Sequence, residues 1–249
     1  MTSTVCSRML PPVVVVTPAG EECPMDDKLH KFETDAITVT WSRARCIHAA
    51  ACIQGLPEVF EPGRRPWVMP ANASTDEVAA VVRRCPTGAL HFTRLDGGPA
   101  EGAPERNFAI VGRAGPIYLR GDLRLVDAEG REVTRETRLA LCRCGATKHR
   151  PFCDGEHWEV QFRDAGRLPE VGLQPGDGDT TQPPSGPVIV EPTENGPVRI
   201  EGEIEFLAGD GQTRRRGVRA ELCRCGRSEN KPFCDGSHRA AGFTAEPLS

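Results

Sequence analysis

The chain has 249 residues and a formal net charge of −4, so no strong basic field is present to draw nucleic acid or an anionic membrane surface. Hydrophobic residues make up 38% and aromatics 5%, against 22 prolines and 26 glycines, which is thin for one large core and suits small loop-rich units. No run approaches the ~20 apolar residues of a membrane helix, so nucleic-acid binding and membrane spanning are not expected.

Residues 1–35 read as an N-terminal arm. Its apolar run, Val13 to Val16, follows Pro11 and Pro12 and has only Arg8 before it, too little for a signal peptide. A cytoplasmic protein is therefore expected. The chain has 11 cysteines, an odd total that argues against complete intramolecular pairing. Nine fall into three groups of three, an arrangement that in an intracellular protein points to metal. Cys6 and Cys23 lie in the arm, outside these groups, and take no ligand role.

Residues 36–95 form the first unit. Ile37 to Trp41 alternates as a strand, and the Ala-rich run from Cys46 to Cys52 suggests a helical turn. Pro66 to Met69 is a second strand candidate. Ser74-Thr-Asp-Glu opens a helix running to Arg84, followed by Cys85-Pro-Thr-Gly-Ala-Leu90 and a short strand from His91 to Arg94. Cys-x5-Cys followed by a distant Cys-Pro, together with Pro57-Glu-Val-Phe60 and Arg65-Pro-Trp67, resembles the divergent mono-cluster ferredoxin domain over about sixty residues. Ferredoxins of this type space their ligands Cys-x2-Cys-x2-Cys, and here the middle position is Ala49. The resemblance then implies either a [3Fe–4S] cluster on Cys46, Cys52 and Cys85, or a [4Fe–4S] cluster completed by His48.

Asp96 to Pro104 reads as a linker, and a duplication follows. Cys142, Cys144, Cys153 and His157 recur as Cys223, Cys225, Cys234 and His238, an offset of 81 residues throughout. The register holds upstream: Gly115-Pro116 matches Gly196-Pro197, Gly121 matches Gly202 and Gly130 matches Gly211. The copies are residues 105–167 and 188–249, separated by a linker from Leu168 to Pro187 that is rich in Pro and Gly. Alternating apolar residues (Ile117, Leu119, Leu123, Leu125; Val198, Ile200, Ile204, Phe206), split at a glycine, read as short antiparallel strands.

Each copy then runs Cys-Arg-Cys-Gly, a hydroxyl residue (Thr147 or Ser228), and Pro-Phe-Cys-Asp-Gly-x-His. Two cysteines one residue apart can share a metal from a tight loop, and a cysteine and histidine four apart can meet on one face where a helix begins. Asp154 and Asp235 suit that helix start. Three soft thiolates and an imidazole fit iron–sulfur or zinc alike.

Both segments resemble the CDGSH iron–sulfur (NEET-type) family, motif Cys-x-Cys-x2-[Ser/Thr]-x3-Pro-x-Cys-Asp-Gly-[Ser/Ala/Thr]-His. The match is complete in the second copy and broken in the first only at Glu156. The resemblance implies a [2Fe–2S] cluster per copy: one iron on Cys142 and Cys144 (or Cys223 and Cys225), the other on Cys153 and His157 (or Cys234 and His238). It also implies a small β-rich fold, and family units commonly pair as homodimers, a pair the tandem can form within one chain. Exchanging one thiolate for imidazole raises the potential above the roughly −400 mV of plant-type ferredoxins, and protonation of that ligand would make a cluster labile. The negative charge of Glu156 should favour the oxidised state of its site.

The expected architecture is α+β: a ferredoxin-like N-terminal domain followed by two β-rich CDGSH units. No nucleophile–base pair, phosphate loop or nucleotide fingerprint occurs, so no enzymatic activity is expected. Electron transfer with a redox partner protein is the first functional expectation. Storage of clusters and their transfer to apo-protein acceptors, or redox and pH sensing, is the second.

Overall fold

The computed structural model describes residues 28–176 and 181–248, and Cys6, Cys23 and the Val13 to Val16 run lie outside them. Among the described residues are ten strands and four short helices, a mixed α+β chain that is mostly β. The N-terminal body joins β1 (Leu29–Glu33), β2 (Ile37–Ser42) and β3 (Leu90–Arg94) in one antiparallel sheet with β2 central. Its first strand thus comes from the region read as an arm.

Period-two alternation explains β2: Ile37 and Val39 point inward, where they meet Leu90 and Phe92 of β3. Helix α2 (Thr75–Val82) starts on a capping box in which Ser74 and Glu77 exchange hydrogen bonds, and it buries Val78, Ala79, Val81 and Val82 on the sheet. Pro66 to Met69 does not become a strand; Val68 makes only an isolated bridge to Phe60. Pro62, Pro66 and Pro70 remove the donors a ladder needs. The Ala-rich run is likewise not helical from Cys46. His48 and Ala50 turn left-handed (φ 56° and 60°), and α1 spans only Ala51–Gly55.

The C-terminal body is one seven-stranded sheet over one core. It contains β4 (Phe108–Val111), β5 (Ile117–Val126), β6 (Glu132–Leu141), β7 (Leu173–Gln174), β8 (Pro187–Pro192), β9 (Val198–Leu207) and β10 (Arg214–Leu222). The alternation split at Gly121 turns out to be one continuous strand, β5, whose pairing with β6 slips between Arg120 and Leu123.

The two copies trade strands. β4 lies antiparallel to β5 of its own copy and parallel to β9 of the other, with Phe108 opposite Glu205. β8 lies antiparallel to β9 and parallel to β5, with Ile189 opposite Arg124. Moving either register by the repeat offset yields the other. Asn107, 1% exposed, ties the crossing: its Nδ2 donates to Gly186 O (2.9 Å) and Glu203 O (3.0 Å), and its Oδ1 accepts from Asp122 N (3.2 Å). Leu119, Leu123 and Leu125 from one copy and Ile200, Ile204 and Phe206 from the other are fully buried in the shared core. Each such side chain contributes about 1.5–3 kcal/mol of burial, which neither copy secures alone.

The free edges are covered differently. β7 pairs with β10 at Arg219 and Ala220, whereas the corresponding stretch of β6 packs against the N-terminal body.

Candidate metal centres

Each copy delivers its donors as two pairs. Cys142 Sγ lies 3.5 Å from Cys144 Sγ, and Cys153 Sγ lies 3.3 Å from His157 Nδ1. In the second copy the distances are 3.8 Å for Cys223–Cys225 and 3.4 Å for Cys234–His238. The first cysteine follows the end of β6 or β10; the histidine rides a one-turn helix, α3 (Glu156–Glu159) or α4 (Ser237–Ala240). Nδ1, not Nε2, faces the sulfur in both copies. Among the described residues, no three His, Cys, Asp or Glu donors gather at one metal-ion position. Three thiolates and an imidazole in each copy are soft donors of the kind that iron–sulfur clusters and zinc take.

The loop between the pairs is braced from within. Thr147 Oγ1 donates to Phe152 O (2.7 Å) and Ser228 Oγ to Phe233 O (2.6 Å). Asp154 does not cap its helix as the sequence suggests; Gly155 and Gly236 hold the N-cap positions in left-handed geometry. The aspartates instead close the loop on itself: Asp154 accepts from Lys148 N and Glu156 N, Asp235 from Glu229 N and Ser237 N. Backbone N–H groups also reach sulfur, Arg227 N to Cys225 and Gly236 N to Cys234, each at 3.4 Å. These donors stabilise an anionic sulfur.

Burial pushes the Cys153 thiol up to about 12 and Cys223 up to about 11. Within the first pair, the hydrogen bond they share draws Cys142 down and pushes Cys144 up. Thiols this reluctant to ionise on their own become stable thiolates when a cation takes the proton's place.

The arginine between the paired cysteines carries no ligand signal in the sequence, although it recurs in both copies. Arg143, 1% exposed, donates to Gly115 O (2.8 Å) and Gly112 O and pairs with Asp164 (2.7 Å). Arg224 donates to Thr193 O (2.9 Å) and Glu246 O (2.6 Å). Each pins the cluster loop to the loop before its own copy's long strand.

The two loops meet each other. A Cβ on Gly145 would lie 2.3 Å from Cys225 O, and one on Gly226 would lie 2.2 Å from Cys144 O. Only residues without side chains allow this backbone contact. Arg150 of the first copy also reaches the Phe243 ring of the second, 5.6 Å to the centroid.

The copies differ at their histidines. His157 is 4% exposed and its ring meets that of Trp158 at a tilt of 38°, centroids 4.8 Å apart, and burial lowers its pKa. His238 is half-buried and faces a cleft of about 450 Å³ lined by Arg199, Glu221, Arg239 and Phe243. Glu156, the one departure from the motif, lies 3.8 Å from Lys148 Nζ, which offsets part of its charge.

In the N-terminal body, Cys46 precedes α1, Cys52 lies on it and Cys85 follows α2. The three lie in one another's electrostatic reach. Burial, then the charges of Cys46 and Cys85, push Cys52 up to about 11. Burial also raises Cys46, against a hydrogen bond from the His48 backbone N–H. His48 is an exposed residue whose ring is still partly withdrawn from water, and burial, then the charge of Arg43, lowers its pKa. The Trp41 indole N–H is buried without a hydrogen-bond acceptor and neighbours Cys46, so an anionic sulfur there would satisfy it. The donor set fits a cluster with three protein thiolates.

The family model described as "Divergent 4Fe-4S mono-cluster" matches residues 32–95, and that described as "Iron-binding zinc finger CDGSH type" matches 114–158 and 195–239. Two curated relatives carry the name "Uncharacterized protein YjdI", one from Escherichia coli strain K12 and one from Escherichia coli O157:H7. Each is 31% identical over 68 residues, covering 27% of this chain and 90% of the relative. No solved structure matches the chain.

Proposed function

We propose, from the premise that this chain belongs to the iron–sulfur proteins that join a divergent 4Fe–4S mono-cluster domain to two CDGSH-type units, that it transfers electrons between partner proteins. It would hold a [2Fe–2S] cluster on Cys142, Cys144, Cys153 and His157 and another on Cys223, Cys225, Cys234 and His238. Cys46, Cys52 and Cys85 would hold a third. Three thiolates and Ala49 favour [3Fe–4S] there; the description of the matching family favours [4Fe–4S] with a fourth ligand other than cysteine.

The observation that carries this reading is the contact of Cys144–Gly145 with Cys225–Gly226, which sets two ligand loops backbone to backbone. With the traded strands, it supports an intramolecular pseudo-dimer. Bound clusters supply reversible one-electron chemistry. The chain's own part is to fix the loops through Arg143 and Arg224 and to donate peptide N–H groups to sulfur. The reading involves no catalysis by the chain itself, no nucleic acid and no membrane, and a cytoplasmic setting that keeps thiols reduced. Among the described residues, no helix is long and apolar enough to cross a membrane.

The cleft at His238 favours a second reading, in which the second site donates its cluster to an apo-protein acceptor or responds to redox state or pH.

Anaerobic purification with metal and sulfide analysis decides the inventory. About seven irons and eight sulfides, with an EPR signal in the oxidised state, are expected for two [2Fe–2S] and one [3Fe–4S]; about eight of each without that signal would mean [4Fe–4S]. About two zinc ions in colourless, oxygen-protected protein would overturn the reading. Reversible reduction with all iron retained supports electron transfer, whereas release to an apo-ferredoxin supports donation.

His157→Cys and His238→Cys are each expected to lower their own site's potential by roughly 100 mV or more, since thiolate adds negative charge where imidazole was neutral. EPR-monitored redox titration reads this, and an unchanged potential in both variants would remove the histidines from the ligand set.

A further inference from the structure

The first CDGSH unit reaches into the N-terminal body with two arginines. Arg138 on β6 is 2% exposed. Its Nε donates to Cys85 O at 2.8 Å, its Nη2 to Val82 O (3.1 Å) and Leu90 O (2.5 Å), and its Nη1 pairs with Glu101. Those carbonyls belong to the end of α2, to the ligand candidate itself and to the start of β3. One guanidinium therefore holds both ends of the turn that presents Cys85. The turn is pressed flat on β6, since a Cβ on Gly88 (φ 66°) would lie 2.4 Å from Arg138 O. From the other side, Arg45 beside Cys46 donates to Thr87 O (3.2 Å), pairs with Glu136 of β6, and lies 4.8 Å above the Phe152 ring beside Cys153.

Arg120 on β5 donates to Arg83 O at 3.3 Å and lies in the electrostatic field of Cys85. Among the described residues, no carboxylate is within ion-pair distance of it. Arg138 is matched by Glu101; Arg120 is a half-buried cation without an acid. In the second copy the repeat offset places Glu201 at the position of Arg120 and Gly217 at that of Glu136, and β7 covers the edge.

We infer that the first CDGSH unit completes the N-terminal metal centre, Arg138 by positioning Cys85 and Arg120 by lending the centre an unmatched positive charge. The inference rests on the reading of Cys46, Cys52 and Cys85 as cluster ligands. A fixed cation beside an anionic centre favours its more negative, reduced state. A guanidinium on three carbonyls cannot be replaced by a single ammonium.

The test uses the full chain, loaded anaerobically, as wild type and as Arg120→Gln, Arg120→Lys, Arg138→Met and Arg138→Lys. Arg120→Gln is expected to keep its iron. Its ratio of reduced to oxidised N-terminal centre at the wild-type midpoint should fall about tenfold, equivalent to about 59 mV for a one-electron couple. Arg120→Lys should retain most of the wild-type ratio, and the two histidine-ligated sites should not move. Arg138→Met should lose N-terminal iron to a chelator about tenfold faster, with Arg138→Lys intermediate, since about 1.4 kcal/mol is less than the loss of a charged hydrogen-bond set. A wild-type ratio in Arg120→Gln together with wild-type release in Arg138→Met would overturn the inference. If Arg138→Met does not fold, the Arg120 pair decides alone. A wild type carrying only about four irons and four sulfides would instead sink the ligand reading beneath the inference, and the inference with it.

Discussion

Gly226→Ala is expected to destabilise the chain by about 3 kcal/mol and to lower its melting temperature by roughly 6–12 °C, with iron lost from both CDGSH-type sites. Gly226 has φ 75°, and its added Cβ would lie 2.2 Å from Cys144 O, so alanine there is strained twice. The left-handed backbone costs about 1–2 kcal/mol, and the remainder comes from forcing apart two ligand loops whose own bracing resists movement. Gly145→Ala should match it, given φ 78° and a Cβ 2.3 Å from Cys225 O. Gly130 is the control: its φ is 77° but a Cβ there meets nothing within 4 Å, so Gly130→Ala should show the backbone cost alone. Thermal melts with iron retention make the comparison. Equal losses in Gly226→Ala and Gly130→Ala would mean that the loop contact contributes nothing, and the intramolecular pair would lose its main support.

Stability is also expected to fall as pH rises from about 6.5 to above 9. His91 sits where the N-terminal body meets β6, with Nδ1 3.1 Å from Glu101 and Nε2 3.0 Å from Glu136. Burial would lower its pKa, but the two carboxylates outweigh it and hold the imidazole up to about 9. A folded pKa above the unfolded value of 6.5 means the stabilisation is complete below about pH 6.5 and vanishes as pH passes about 9. The full shift would correspond to about 3 kcal/mol; with the side chain 28% exposed, solvent screening reduces it to about 2 kcal/mol. At the acid end Glu101, held down at about 2 by His91 and Arg138 against its burial, sets the opposite limb. Its stabilisation is present above about pH 4.5 and is lost as pH falls toward 2. Denaturant unfolding at pH 6.5 and 9.5, on wild type and His91→Gln, isolates the alkaline limb. Identical slopes in the two proteins would rule out His91 as its source.

The donors themselves were legible because metal chemistry constrains residue type and spacing together. Cys-x-Cys and Cys-x3-His, repeated at one offset, leave few other readings, and the structure brings Cys142 to Cys144 and Cys153 to His157 as the spacing suggests. The β strands followed from period-two alternation and the α2 start from Ser74 and Glu77, all local signals. Local signals misled where something else governed the backbone. Alanines near Cys46 suggested a helix, but His48 and Ala50 turn left-handed; Trp67 and Val68 suggested a strand, but prolines flank them. Gly121 suggested a break, but β5 runs on through a bulge.

The sequence by itself determined which residues are the candidate metal donors, that two such sets repeat, and that the folded units are small and strand-rich, because donor identity and strand alternation are written within a few residues of each other. Only the tertiary structure decided that β4 and β8 cross between copies, that Gly145 and Gly226 meet, that a cleft opens at His238, and that Arg138 and Arg120 reach the carbonyls of Cys85 and Arg83 in the N-terminal body. These contacts join residues tens of positions apart. They depend on how a shared core is filled and which sheet edge is covered, and an arginine on an alternating strand looks the same in sequence whether it faces water or the carbonyl of a ligand.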